Sequence, residues 1–163
     1  MAKGGAFTDR DSSEVEEFIE RKLLHRGVLG RFSRVDGVSI RPVVSGLEGL
    51  GRKERKARRQ EVPGTWIGRA GSIRRSVPVH VRPPGPPGKE DTVAEQLAAA
   101  GVSGPEARMS FGQCVFHFSR DAAATDVVRF SLDAMRALGA EPADGRWEWA
   151  ATVEIDTTGP AGS

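Results

Sequence analysis

The fold class is decided by strand patterns such as that of the segment Trp147-Glu148-Trp149-Ala150-Ala151-Thr152-Val153-Glu154-Ile155. Apolar side chains occupy every second position, and small or polar side chains mostly separate them. A period of two is typical of a β-strand that has one face against a hydrophobic core. The residues expected on that covered face are Trp147, Trp149, Ala151, Val153 and Ile155.

Other parts of the chain also read as strands. The strongest such signal is the alternation over residues 108–120, and shorter β-forming runs lie at 32–44, 65–68 and 72–81. The dipeptide Asp36-Gly37 predicts a hairpin turn within the first of these runs. Pro42 and Pro78 favour edge positions or strand ends, because proline has no N–H group for a sheet ladder.

Three segments carry helical periodicity. Ser13-x-x-Glu16 is a capping-box pattern ahead of an amphipathic run, and Thr92-x-x-Glu95 repeats this pattern before a second run. A third helix is expected to begin after Asp121 or Thr125 and to end before Gly139.

These elements predict an α+β fold, with a mixed or antiparallel sheet of about five to six strands and about three helices packed mainly on one face. The expected organisation is a flexible N-terminus at 1–12, a single domain at 13–158 and a flexible tail at 159–163. Within the domain we expect an exposed basic loop at 46–62 and a Pro/Gly-rich connector at 82–88.

Composition excludes several classes of protein. One cysteine among 163 residues gives no internal disulfide framework, and three histidines offer few metal ligands. No segment resembles a signal peptide or approaches the ~20 apolar residues of a membrane span. We therefore expect a cytoplasmic protein that does not contact a membrane. The abundance of Gly, Pro and Arg without any Tyr is typical of a GC-rich, bacterial coding sequence.

The formal charge of +2 hides a strong asymmetry. Residues 1–40 are balanced, residues 41–82 hold eleven basic and three acidic side chains, and residues 83–163 hold six basic and twelve acidic ones. This division indicates an anionic partner for the middle of the chain. Alternatively, the acidic part faces the basic part within one fold or across a dimer.

The charge is concentrated in Gly51-Arg52-Lys53-Glu54-Arg55-Lys56-Ala57-Arg58-Arg59-Gln60. If this stretch were helical, it would have no apolar stripe with which to dock, so we expect it to be exposed. Arg82 and other arginines on the following strands could extend the same surface. Trp66 could stack a nucleic-acid base, but its position after Pro63-Gly64 favours a role in the core or at its rim. The candidate binding residues are Arg52, Lys53, Arg55, Lys56, Arg58, Arg59, Arg69, Arg74, Arg75 and Trp66.

Catalytic and metal-binding signatures are weak. Cys114 and His117 are three residues apart in an expected strand and so point to opposite faces, which favours a buried structural role for the cysteine. The glycines of 46–53 fit no phosphate-loop pattern. No catalytic residue, metal site or cofactor is predicted, and enzymatic activity has no support from a motif.

Three hypotheses follow. The first is a non-enzymatic module that binds RNA or DNA through phosphate neutralisation by residues 51–82. The second is an assembly subunit whose basic middle docks on an acidic protein surface, including that of another copy. The third is a small enzyme whose site becomes visible only in the folded chain.

Overall fold

A computed structural model describes residues 4–24, 35–69 and 76–153, and within them the chain forms seven β-strands and four α-helices. The strands are β1 (Gly4–Thr8), β2 (Val35–Pro42), β3 (Gly64–Gly68), β4 (Ser76–Arg82), β5 (Ala107–Ser110), β6 (Gln113–Ser119) and β7 (Arg146–Val153). The helices are α1 (Ser13–Lys22), α2 (Arg52–Gln60), α3 (Val93–Ala99) and α4 (Ala124–Ala137). Predictions that fall on His25, Arg74, Arg75, Ile155 and the tail 159–163 lie outside the described residues.

All seven strands belong to one sheet in the order β1-β7-β2-β3-β4-β6-β5, and every neighbouring pair is antiparallel. Val38 of β2 lies opposite Ile67 of β3 and Ala151 of β7. Val79 of β4 lies opposite Ile67 and Phe116. Because directly opposed residues project to the same side, this register collects the large apolar side chains on one face of the sheet.

Three helices cover that face. The buried side chains of α1, α3 and α4 join the apolar strand residues in one hydrophobic cluster, which draws on both sides of the Pro/Gly-rich connector. The helix α2 contributes no buried residue. The opposite face of the sheet is therefore not covered by α1, α3 or α4. Among the described residues, no helix has the length and apolar character that crossing a bilayer requires.

The α+β class is confirmed, but the sheet is larger than the expected five to six strands. One additional strand is β1, which lies in the segment expected to be a flexible N-terminus and pairs along its length with β7. The single strand expected over residues 108–120 is a hairpin of β5 and β6. Its two-residue turn is Phe111-Gly112, with φ values of 49° and 75°. Two positive φ values are typical of a type I′ turn, for which Phe is an unusual residue.

The fourth helix is α2, which occupies most of the expected basic loop at 46–62.

The hairpin turn expected at Asp36-Gly37 is wrong, because both residues lie inside β2. Gly37 serves close packing instead. A Cβ atom at this position would lie 2.4 Å from Cζ2 of Trp66 and 2.6 Å from the carbonyl oxygen of Ile67. The glycine is therefore explained by the indole ring that crosses it.

The two prolines behave differently. Pro42 is the last residue of β2, as expected. Pro78 is inside β4, which pairs with both β3 and β6, so the edge position expected for it is wrong. The register between β3 and β4 runs from Arg82 back to Val79, opposite Ile67, and does not include Pro78. Its missing N–H group is thus tolerated where the β3 ladder has already ended.

The expected caps are also shifted. The N-cap of α1 is Ser12 rather than Ser13, and its hydroxyl donates to the carboxylate of Glu16 at 2.9 Å. Thr92 makes no capping hydrogen bond to the backbone N–H groups of α3; its hydroxyl donates to the carbonyl oxygen of Lys89 at 2.7 Å.

Candidate functional site

The basic stretch folds as helix α2, and all but one of its nine residues are exposed. Arg, Lys, Glu, Gln and Ala are good helix formers, and Glu54 in the first turn with arginines in the last turn matches the helix dipole. The helical period places four cationic residues on one side, at spacings of three and four. These residues are Arg52, Arg55, Lys56 and Arg59.

This side of α2 borders a cavity of about 820 Å³, which we call the cationic cavity. Two further arginines complete its wall: Arg41 near the end of β2 and Arg82 at the end of β4. Among the described residues, six cationic side chains line the cavity and no carboxylate does.

Specific bonds hold α2 at this end of the sheet. The guanidinium of Arg82 donates to the carbonyl oxygen of Val62 at 3.0 Å. The backbone N–H of Gly85, in the Pro/Gly-rich connector, donates to the carbonyl oxygen of Gln60 at 2.8 Å. The helix is thus positioned by its C-terminal end and by the connector, rather than by burial of apolar side chains.

The cations of this cavity are poorly neutralised. Arg58, outside the cavity lining, lies 3.7 Å from Glu61. Among the described residues, α2 forms no other ion pair. In particular, it forms none with the described residues of the acidic C-terminal part. Arg41 does pair with Glu148 of β7. The idea that the acidic part of the chain neutralises the basic part within one fold therefore applies to Arg41 and not to α2.

Two arginines of the cavity are also incompletely solvated. Partial burial lowers the pKa of Arg82, and the neighbouring charge of Arg41 lowers this pKa further. The Nε atom of Arg59 is buried without a hydrogen-bond partner. An anion in the cavity would offset the repulsion between Arg41 and Arg82.

A second cavity, of about 550 Å³, lies on the uncovered face of the sheet, and we call it the sheet-face cavity. It shares Arg41 and Arg82 with the cationic cavity, so the two are contiguous. The lining also includes the side chains of Ser39, Trp66, His80, Glu90 and Gln113.

The indole of Trp66 lies across the sheet in a fixed orientation. Cβ atoms at Gly37 and Gly68 would lie 2.4 Å and 2.7 Å from its ring, so the two glycines form its seat. Its Nε1–H donates to the hydroxyl of Thr152 at 3.3 Å. The ring also meets the imidazole of His80 edge-on, with centroids 5.2 Å apart. Trp66 is therefore a half-buried side chain of the uncovered face and not a core residue.

His80 and Gln113 form a polar pair beside this indole, with 2.7 Å between Nδ1 and Oε1. An amide oxygen only accepts, so Nδ1 of His80 carries the proton of this bond. In the neutral ring, Nε2 is then the acceptor nitrogen, and the amide nitrogen of Gln113 is a donor. The pair presents both kinds of hydrogen-bonding group at the cavity.

The structure brings together half of the predicted binding residues. Arg52, Arg55, Lys56 and Arg59 line the cationic cavity, and Trp66 lines the sheet-face cavity. Lys53 and Arg58 lie on α2 but outside both linings. Arg69 follows the far end of β3, where its N–H donates to the carbonyl oxygen of Asp36. Arg74 and Arg75 lie outside the described residues.

Sequence reasoning missed Arg41, Ser39, His80 and Gln113 as members of one site. A signal was present in β2, where Ile40 faces the core and its neighbours in sequence must face the other side. Arg82 was recognised as an extension of the basic surface, and it lines both cavities.

In the part of the chain that the structure describes, Cys114, His80 and His117 have separate surroundings. Cys114 is buried on the helix-covered face, as predicted, and burial raises the pKa of its thiol. His117 faces Ser76, with 3.2 Å between Nδ1 and the hydroxyl oxygen. Within residues 4–24, 35–69 and 76–153, no three His, Cys, Asp or Glu side chains are grouped so as to hold a metal ion.

The chain matches no protein-family model, no curated protein and no solved structure.

Proposed function

We propose that this protein is a non-enzymatic module that binds RNA or DNA through phosphate contacts in the cationic cavity. The observation that carries the proposal is the set of six cations from α2, β2 and β4 around one cavity, where, among the described residues, no ion pair joins α2 to the acidic part of the chain.

The composition of the cavity suits phosphate. Five of its six cations are arginines, whose planar guanidinium groups bind phosphate oxygens through paired hydrogen bonds. A compact ammonium group, as in Lys56, adds charge without this directional fork.

The length of the cationic surface suits a polyanion rather than a single phosphate. Arg52 and Arg59 are seven residues apart, which corresponds to about 10 Å along a helix. One strand of a duplex carries a phosphate about every 3.4 Å along the duplex axis, so this length, laid parallel to that axis, covers the rise of about three phosphates. Several contacts of this kind would make the affinity strongly dependent on salt.

Helix α2 provides a matched pair of variants for a test. Arg52 and Lys56 line the cavity, whereas Lys53 and Arg58 lie on the same helix outside the lining. The inner variant Arg52→Gln/Lys56→Gln and the outer variant Lys53→Gln/Arg58→Gln each remove one Arg and one Lys, so their net charges are equal.

The measurement is fluorescence anisotropy with a labelled 20-nucleotide oligonucleotide over a salt series. We expect the inner variant to bind at least about tenfold more weakly at 0.1 M salt and to lose about 1.4 from the log–log salt slope, since each contact to a single strand contributes about 0.7. The outer variant should lose much less affinity and little of the salt slope, because its two side chains lie outside the lining and make no direct phosphate contact in the cavity.

Equal losses in the two variants would contradict a localised site. No binding to any oligonucleotide at low salt would overturn the proposal. If light scattering then showed that the inner variant changes the oligomeric state, the assembly hypothesis would take its place.

A further inference from the structure

We infer that the sheet-face cavity is a base-binding site, through which the protein recognises single-stranded rather than duplex nucleic acid. The inference rests on the proposed function, because it names the form of nucleic acid that the adjoining cationic cavity holds.

The two cavities are contiguous but chemically different. Arg41 and Arg82 form their common wall. Beyond this wall, the cationic cavity has further cations, whereas the sheet-face cavity has aromatic and neutral polar groups and the carboxylate of Glu90. A phosphate is therefore favoured on the α2 side of the two arginines. A base attached to the same strand is favoured on the sheet side.

The indole of Trp66 is held in a fixed orientation that suits stacking. One face of its indole rests on Gly37 and Gly68, and its Nε1–H is held by Thr152, so the ring needs no reordering when a ligand arrives. The ring lines the cavity with its remaining surface. Aromatic side chains on open protein surfaces stack bases of any sequence, since every base has a π-face.

The polar groups around the indole suit hydrogen bonding to a base. Nε2 of His80, the amide nitrogen of Gln113 and the hydroxyl of Ser39 supply acceptors and donors of the kind that pair with base edges. The volume of about 550 Å³ lies in the usual range of small-molecule pockets and accommodates a base with its sugar.

A duplex cannot use this site. Its bases are already stacked and paired, so a base can reach Trp66 only if it is unpaired or lies at an end. Duplex DNA is therefore expected to contact the arginines alone, whereas a single strand gains both phosphate contacts and stacking.

The test compares a single-stranded 20-mer with the duplex of the same sequence, at several salt concentrations, for wild type, Trp66→Phe and Trp66→Leu. Loss of one stacked base weakens binding by roughly five- to a hundredfold. We expect Trp66→Leu to show a loss of this size for the single strand, with an unchanged salt slope and unchanged duplex affinity. Trp66→Phe retains a ring and should lose less.

A second measurement reads binding in the wild-type protein and uses a variant only to assign one resonance. In wild-type protein, the indole Nε1–H resonance of Trp66, assigned from its absence in Trp66→Phe, should shift when the single strand is added. It should shift much less with the duplex or with inorganic polyphosphate. Trp147 and Trp149 are buried on the opposite face and serve as internal controls.

The outcomes separate the two proposals. If the Trp66 resonance stays in place and single strand and duplex bind equally well, while the inner α2 variant still weakens binding, the base site is overturned and phosphate binding stands. If neither nucleic acid binds at low salt, both proposals are overturned.

Discussion

Asp9 is a residue whose side chain joins distant parts of the chain. Its carboxylate accepts two hydrogen bonds from the guanidinium of Arg136 on α4 and one from Nε1 of Trp147 on β7, the last at 2.8 Å. Arg136 also lies 5.2 Å above the indole ring. Trp147 is fully buried, so its Nε1–H depends on Asp9 for a partner.

Replacing Asp9 should lower the free energy of unfolding by an amount that depends on whether the new side chain keeps a hydrogen-bond acceptor. Asp9→Ala leaves the Nε1–H of Trp147 buried without an acceptor, which costs about 1–3 kcal/mol of unfolding free energy. Asp9→Asn keeps an acceptor oxygen and removes the charge. Because the Asp9 and Arg136 side chains are 42% and 43% exposed, Asp9→Asn should lower the free energy of unfolding by about 1 kcal/mol or less. Urea denaturation of the three proteins at pH 7 measures both differences.

The same contacts predict a pH dependence. The hydrogen bonds from Arg136, followed by the one from Trp147, hold the pKa of Asp9 below its ordinary value of 3.8, although partial burial opposes them. The stabilisation is therefore complete above this value and disappears as the pH falls through the lowered pKa of the folded state. The stability difference between wild type and Asp9→Asn should be constant from pH 7 to about pH 5 and shrink below pH 4. A difference that stays the same down to pH 3 would contradict this assignment.

At the scale of elements, α2 differs from the other helices because binding rather than packing is expected to stabilise it. It has nine residues and no buried side chain, and its like charges at spacings of three and four repel one another. A helix of this length is marginal in water when it has no tertiary support. By contrast, α4 buries eight of its residues.

Hydrogen exchange measured by mass spectrometry should show this difference. We expect the amides of α2 to exchange at least about a hundredfold faster than those of α4 in free protein, because few contacts oppose local opening. Addition of the single-stranded oligonucleotide should slow exchange in α2 and leave α4 unchanged. Protection of α2 equal to that of α4 in the free protein would show that packing we have not recognised holds the helix.

The elements that sequence predicted well are those with strong local periodicity. The alternation in β7 placed Trp147, Trp149 and Ala151 correctly on the covered face, although Val153 at the end of the strand is 37% exposed, and α4 was expected from its apolar pattern. The strand β1 could not be recognised, because its five residues owe their conformation to pairing with β7, which is distant in sequence. The turn at Phe111-Gly112 lacks the usual Asn or Asp, and Gly37 imitates a turn residue while it seats an indole ring.

At the scale of the whole molecule, the fold gives the two faces of the sheet different chemical character. The helix-covered face holds the hydrophobic cluster, and the uncovered face carries the aromatic and polar side chains next to the cationic cavity. Sequence identified the cations of α2 because they are consecutive. It did not join them to Arg41, His80 and Gln113, since only the strand order places these residues side by side.

The most direct test of this account is to map the chemical-shift changes of backbone amides and indole N–H groups when a short single-stranded oligonucleotide is added. We predict that the changes concentrate in α2, at the ends of β2 and β4 nearest to it, and around Trp66, while α1 and α4 remain unperturbed. Changes centred on the helix-covered face, with α2 and Trp66 unperturbed, would contradict the account.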